Sequence, residues 1–389
     1  MSGTLPALSR AAVATAAHTT ELREFPLPHA GPDDGLLRVE AAAICGTDWE
    51  IYGRDSRGRG LGPLILGHEN VGRVVALGER AAARWGVAVG DRVAVEEFLP
   101  CGTCRRCRSG HYRLCAATDS RGTGPFLRYG STPVRVAPSL YGGFSEYLYL
   151  HPRAIVYPVG DDVEPEPAAL FVPIANGIRW VTQEGGLRLG QTVVVQGPGQ
   201  HGLGCVIAAR EAGAATVIAI GTAADRNRLD VAKALGADHV ISVNRSAGAH
   251  ESEPVDTVLD LTGGEGADMV VDLAPGAPET VERAVAMCAP RGTVVLAASK
   301  HARPVAGFPP DAIVRKELRL LGVRGHDHRS VEPAIELIRS GRRPLRLLAT
   351  HRFPLDRTDE ALRMAGERTD PAAIHVSILP NWTPETGDR

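Results

Sequence analysis

The chain has 389 residues, 44% of them hydrophobic and 23% charged, with 43 Lys and Arg against 45 Asp and Glu for a net charge of −2. That length exceeds what one ordinary core organises and predicts two domains. The balanced charge and the 5% aromatic content give neither the basic footprint nor the stacking surface of a nucleic-acid partner. No run of 18 apolar residues occurs, which argues against a membrane partner. Residues 1–18, with Arg10 as the one basic side chain, lack the dense apolar segment of a secretory signal, which predicts a cytoplasmic protein.

In chain order, residues 1 to about 30 carry little pattern, although 19–28 suits an extended strand. A short strand over 36–41 points at Cys45, in Ile44-Cys45-Gly46-Thr47-Asp48. Residues 53–63 are turn-rich and read as a surface loop. The apolar run Leu64-Ile65-Leu66 then delivers Gly67-His68-Glu69. Imidazole nitrogen, thiolate sulfur and carboxylate oxygen are the ligand types Zn²⁺ accepts, and a metal gives a buried carboxylate a partner. Each of these residues alone also fits a plain packing role: a core histidine, a small apolar cysteine, a salt-bridged glutamate. From Val71 to Val95, valines alternate with glycine punctuation, predicting the closely spaced strands of an irregular β domain.

Four of the seven cysteines follow in Cys101-x2-Cys104-x2-Cys107-x7-Cys115. Four thiolates so close can wrap one ion tetrahedrally, a closed site with a structural role. An iron–sulfur cluster is the competing reading, but the fourth cysteine is not followed by proline, as it is in the ferredoxin run. Arg105, Arg106 and Arg108 would offset the charge. Residues 119–143 form a long aperiodic stretch that would border a substrate pocket, and Gly142 to Tyr147 returns the chain to a strand.

Past Ala168 the texture changes. The run 192–195 is a buried strand, Gly197-Pro198-Gly199-Gln200-His201-Gly202 gives G-x-G-x-x-G, and a helix over 203–212 leads to a strand at 216–220. Such a β-α-β unit lets the backbone approach a pyrophosphate at the helix N-terminus. Further strands at 239–243, 269–273, 293–297 and 318–323, with helices near 226–235 and 278–287, predict a doubly wound parallel sheet. Cys205 and Cys288 read as packing residues. The tail, with helices near 331–340 and 358–365 and a strand near 374–379, is read as returning to the first domain.

Together these residues resemble the medium-chain dehydrogenase/reductase superfamily, in its zinc-dependent alcohol and polyol branch. Gly67-His68-Glu69-x2-Gly72-x5-Gly78-x2-Ala81 fits that family's zinc signature. The cysteine lobe fits its structural site and residues 197–202 its nucleotide loop. The text around Cys45 is similar to glucose dehydrogenases. The resemblance implies an α/β chain: a GroES-like, mostly-β catalytic domain (1–173 and 327–389, with the zinc lobe at 96–118) and an inserted Rossmann domain (174–326). It further implies two zinc ions per chain, a nicotinamide cofactor, a small-molecule substrate and a homodimer or homotetramer. In that chemistry Cys45, His68 and Glu69 hold the catalytic zinc, and Thr47 contacts the substrate oxygen. Glu50 stands where many relatives carry the histidine that ends a proton relay; a solvated surface charge is the alternative.

Two departures bear on function. Val172 falls where the family's last zinc ligand is expected, leaving either three protein ligands with water or a degraded site. Gly221 replaces the acid that holds an NAD ribose. Thr222, Arg226 and Arg228 follow it, which points to NADP ahead of NAD, while Asp225 reads as a helix cap. The expected activity is hydride transfer between NAD(P) and a hydroxyl or carbonyl of a polyol, sugar or secondary alcohol. Alternatives are a zinc-independent alkene or quinone reductase of the same superfamily, or a non-catalytic nucleotide-binding relative.

Overall fold

The structure, a computed structural model, describes residues 4–54, 62–119, 126–243 and 253–382. It divides into two compact units, Met1–Phe171 with Ala349–Arg389, and Val172–Leu348.

The first unit begins with β1 (Leu8–Ala16), β2 (Thr19–Pro26), β3 (Gly35–Ala43), β4 (Leu64–Ile65), β5 (Glu69–Leu77), β6 (Arg92–Val95), β7 (Tyr147–Leu150) and β8 (Val156–Pro158). β1 lies between β2 and β4, paired antiparallel to both. The sequence showed little pattern over β1, because Ser9, Ala11, Ala12 and Ala14 are small residues buried by their neighbours rather than large apolar ones. Between β5 and β6 runs the helix Glu79–Trp85, where only strands and turns were expected. Its signals were present: Glu79 opens it, and Gly86 closes it in the left-handed conformation.

The second unit carries β9 (Thr192–Gln196), β10 (Thr216–Thr222), β11 (His239–Val243), β12 (Ala267–Asp272), β13 (Cys288–Leu296) and β14 (Arg319–Gly322). Among the described residues they form one sheet in the order β11-β10-β9-β12-β13-β14, all parallel. Val193, Val194 and Val195 are completely buried, as a parallel strand covered on both faces requires. Each such side chain contributes roughly 1.5–3 kcal/mol. Strand order reverses beside β9, and the crevice at its carboxyl end is where such a sheet binds ligands.

The chain then returns to the first unit through β15 (Ala349–Phe353) and β16 (His375–Ile378). They extend a sheet of order β15-β16-β3-β5-β6-β8, with β7 also on β3. The expected boundary at 326/327 moves to Leu348/Ala349. The helix His328–Ser340 is what moves it, since its N-cap Asp327 is tied to Arg179 and Gln183 donates to the Arg329 carbonyl. Just beyond it, Arg343 pairs with Glu211. All of these partners lie in the second unit. No helix among the described residues is long and apolar enough to cross a membrane.

Candidate functional site

The cysteine lobe lies between β6 and β7. Its sulfurs are 3.5 Å (Cys104–Cys107), 3.6 Å (Cys101–Cys115), 3.9 Å (Cys104–Cys115) and 4.0 Å (Cys101–Cys107) apart. Thiolates about 2.3 Å from a tetrahedral zinc are separated by about 3.8 Å, whereas a disulfide needs about 2 Å. The four residues therefore fit one ion. Backbone N–H groups already face the sulfurs, from Cys104 to Cys101 at 3.4 Å and from Cys101 to Cys115 at 3.5 Å. The N–H groups of Cys104 and Thr103 hold the Cys101 thiol down at about 6. Tyr112 fastens the lobe to the sheet by donating to the buried Glu96 at 2.7 Å.

The second constellation is built by Asp48. Cys45 is the N-cap of the helix Gly46–Tyr52, and Asp48 stands three residues on. The Cys45 N–H donates to Asp48 Oδ2 at 2.9 Å and the Gly67 N–H to Oδ1 at 3.1 Å. His68 Nδ1 lies 3.2 Å from the same Oδ1. Gly67 has φ +88 and a Cβ there would strike Phe144, so the turn that aims His68 requires glycine. Asp48 is completely buried. Holding the imidazole through Nδ1, it leaves Nε2 for a metal, as a carboxylate–histidine–zinc arrangement demands.

Cys45 and His68 are hydrogen-bonded to each other, and a Glu69 carboxylate oxygen lies within 4.8 Å of the Cys45 sulfur. Burial, with Glu69 adding to it, pushes the Cys45 thiol up, so a thiolate here calls for a cation. Burial lowers His68, but the Asp48 charge and hydrogen bond outweigh it and hold the ring well above its usual value. Cys45 thus has both His68 and Glu69 near it, and thiolate, imidazole and carboxylate are all donor types that zinc accepts.

Glu69 opens β5 and is fully buried, with Oε2 3.5 Å from Nε2 of the equally buried His375 on β16. Thr47 is half-buried on the first turn of the helix after Cys45. Glu50 takes the surface alternative: its side chain is 44% exposed and pairs with Arg54. Asp48, Glu97, Arg128 and His375 were not singled out from sequence. Asp48 had a signal, an acid three residues after a helix N-cap. His375 and Arg128 had none, because distant segments bring them in.

In the second unit, Gly199 caps the helix Gln200–Glu211 and leaves open space beside it. A Cβ on Gly202 would stand 2.0 Å from the Gly197 carbonyl, so the helix can start this close to the strand only with glycine. His201 is hydrogen-bonded through Nδ1 to Asn176 at 3.3 Å, and Asn176 to the buried His326 at 3.2 Å. At the end of β10, Asp225 is the N-cap of the helix Arg226–Leu235 by position, but its side chain makes no cap bond to that helix and instead accepts from the Thr222 N–H and hydroxyl at 2.9 and 2.7 Å. Arg228 is buried, 3.6 Å from Asp225, while Arg226 faces solvent. Of residues 53–63 and 119–143, positions 55–61 and 120–125 lie outside the described residues.

A mostly-β unit with two zinc-type donor clusters, joined to a doubly wound sheet with a pyrophosphate-type glycine loop, defines a zinc-binding, nucleotide-dependent dehydrogenase. Residues 31–161 match the alcohol dehydrogenase GroES-like domain and residues 202–340 the zinc-binding dehydrogenase family. A probable alcohol dehydrogenase of Mycobacterium tuberculosis is 41% identical over 377 residues, 96% of this chain and 99% of that protein. The erythritol/L-threitol dehydrogenase of Mycolicibacterium smegmatis is 31% identical, covering 98% of this chain and 100% of its own. A crystal structure from Sinorhizobium meliloti 1021, described as a zinc-binding dehydrogenase bound to NADP, superposes with a TM-score of 0.79 at 27% identity, over 96% of this chain and 100% of that one. The chain belongs to the zinc-dependent medium-chain dehydrogenase/reductase superfamily. It is an oxidoreductase acting on CH–OH donors.

Proposed function

We propose that the protein binds two zinc ions per chain and transfers hydride between NADP, in preference to NAD, and a hydroxyl or carbonyl of a polyol, sugar or secondary alcohol. The observation that carries the reading is the Asp48 brace, which fixes both the Cys45 backbone and the His68 ring. When bound there, zinc supplies the Lewis acidity that brings an alcohol's pKa toward neutrality. Cys45 and His68 would hold it with Glu69 as the third donor, and the Thr47 hydroxyl would relay the substrate's proton, accepting it while passing its own on to solvent, since Glu50 is engaged with Arg54 at the surface. Val172 contributes no ligand, so the fourth position is left open for substrate.

NADP is supported by Gly221, which removes the carboxylate that would repel a 2′-phosphate, and by the solvent-facing Arg226 as its partner. Gly221 is also confined: a Cβ would meet Pro198 at 2.9 Å and Asp225 at 3.0 Å. The NADP-bound relative is in keeping with this preference. The test is turnover of a panel of polyols, sugars and secondary alcohols with each cofactor. The expected result is a higher kcat/KM with NADP; binding of NADPH without turnover of any member would defeat the reading.

A further inference from the structure

We propose that Glu97 and Arg128 form a recognition pair for a second hydroxyl of the substrate, which makes vicinal diols the preferred substrate class. This rests on the Cys45–His68 constellation being the catalytic zinc centre.

Glu97 follows β6 and is 8% exposed, as is Arg128. Its Oε2 lies 3.9 Å from His68 Nε2, the ring nitrogen that Asp48 leaves for the metal. Arg128 donates to that same Oε2 from Nε at 3.1 Å and from Nη2 at 2.5 Å. The guanidinium stacks 4.9 Å from the Phe98 ring centre, and the Tyr129 N–H donates to the Glu97 carbonyl at 2.9 Å. Arg128 thus holds the carboxylate by one oxygen with two N–H groups, and Tyr129 holds the backbone that carries it.

A buried ion pair of this kind adds little net stability compared with apolar residues of similar size. Beside a metal-binding imidazole, its placement points to function. Two donors sharing a tetrahedral zinc at about 2.0–2.1 Å stand about 3.3 Å apart. At 3.9 Å, with Arg128 on the same oxygen, Glu97 sits just outside the coordination sphere rather than in it.

Hydroxyls on neighbouring carbons are separated by about a hydrogen-bond length. A substrate with one hydroxyl at the ion brings the next one toward the pair, where its O–H donates a hydrogen bond to the carboxylate and its oxygen accepts one from the guanidinium. A monoalcohol offers nothing there. A site built to hydrogen-bond a hydroxyl discriminates against the analogue that lacks it.

The test compares zinc-loaded wild type with Glu97→Gln, and with the double variant Glu97→Leu/Arg128→Leu, which leaves no unpaired buried charge if the single variant folds poorly. Substrates are 2,3-butanediol and 2-butanol, matched in carbon skeleton. The diol-to-monoalcohol ratio of kcat/KM is expected to fall about tenfold or more in both variants, mainly through KM. Zinc content stays at the wild-type level. In cobalt-substituted protein the visible spectrum of the free enzyme is unchanged, while its response to diol is lost. An unchanged ratio overturns the proposal. So does loss of the catalytic ion or an altered spectrum without substrate, which would make Glu97 a ligand. Wild-type enzyme that turns over secondary alcohols of the wider panel but not 2,3-butanediol overturns the proposal and leaves the dehydrogenase reading standing; turnover of no panel member overturns that reading instead.

Discussion

Asp48 Oδ1 lies 3.2 Å from His68 Nδ1 and also accepts the Gly67 N–H, while Oδ2 accepts the Cys45 N–H. One buried carboxylate thus sets the positions of a thiol and an imidazole twenty-three residues apart (68 − 45). Asp48→Asn keeps the size but weakens the acceptor. It is expected to lower zinc affinity at this site 10–100-fold, the usual loss when an outer-shell partner is changed, measured by competition with a chelating dye.

The lobe gives a separable prediction. Cys104→Ser removes one of the four sulfurs and is expected to reduce metal content from two zinc ions to one. The remaining ion stays with Cys45 and His68. Because metal binding at a closed site is folding energy, the melting temperature should fall by several degrees, and wild-type protein stripped of both ions by a strong chelator should fall at least as far.

Cofactor preference is read at the end of β10. Arg226→Ala is expected to raise KM for NADP about tenfold and leave NAD nearly unchanged, the loss of one charge-assisted contact. Arg228→Ala acts differently, because Arg228 is buried against Asp225. It should lower stability and affect both cofactors alike, measured by steady-state kinetics and thermal melts.

His151 supplies a pH signature away from either metal cluster. Burial first, then the Arg153 charge, pushes its ring down to about 4 from 6.5. Its Nδ1 accepts the Arg153 N–H at 3.0 Å, which the ring can do only when that nitrogen is unprotonated. Between pH 4 and 6.5 the unfolded chain binds the extra proton, so stability rises with pH across that window and is fully present above 6.5. His151→Gln should flatten this acid limb by about 2 kcal/mol in urea titrations, the shift being discounted for partial exposure.

Legibility followed the range of the interactions. The cysteine lobe, the Gly67-His68-Glu69 text and the 197–202 loop are local patterns whose spacing states their chemistry, and the structure forms all three. Residues 193–195 and 226–235 could be placed because periodicity and flanking glycines agree. Asp48 lay within reach as a capping residue. The ion pair of Glu97 with Arg128 and the contact of Glu69 with His375 did not, because chain closure creates them between segments without shared pattern. The helix His328–Ser340 shows the same limit at domain scale: its apolar face was visible, but the unit it packs in was not.

The account stands on zinc at Cys45 and His68 being required for hydride transfer. The most direct measurement is zinc content and NADPH formation, followed together during dialysis against a mild chelator. Loss of one of two ions per chain, in step with activity and reversed by added Zn²⁺, is the predicted result. Full activity in protein holding a single ion in the cysteine lobe would contradict it.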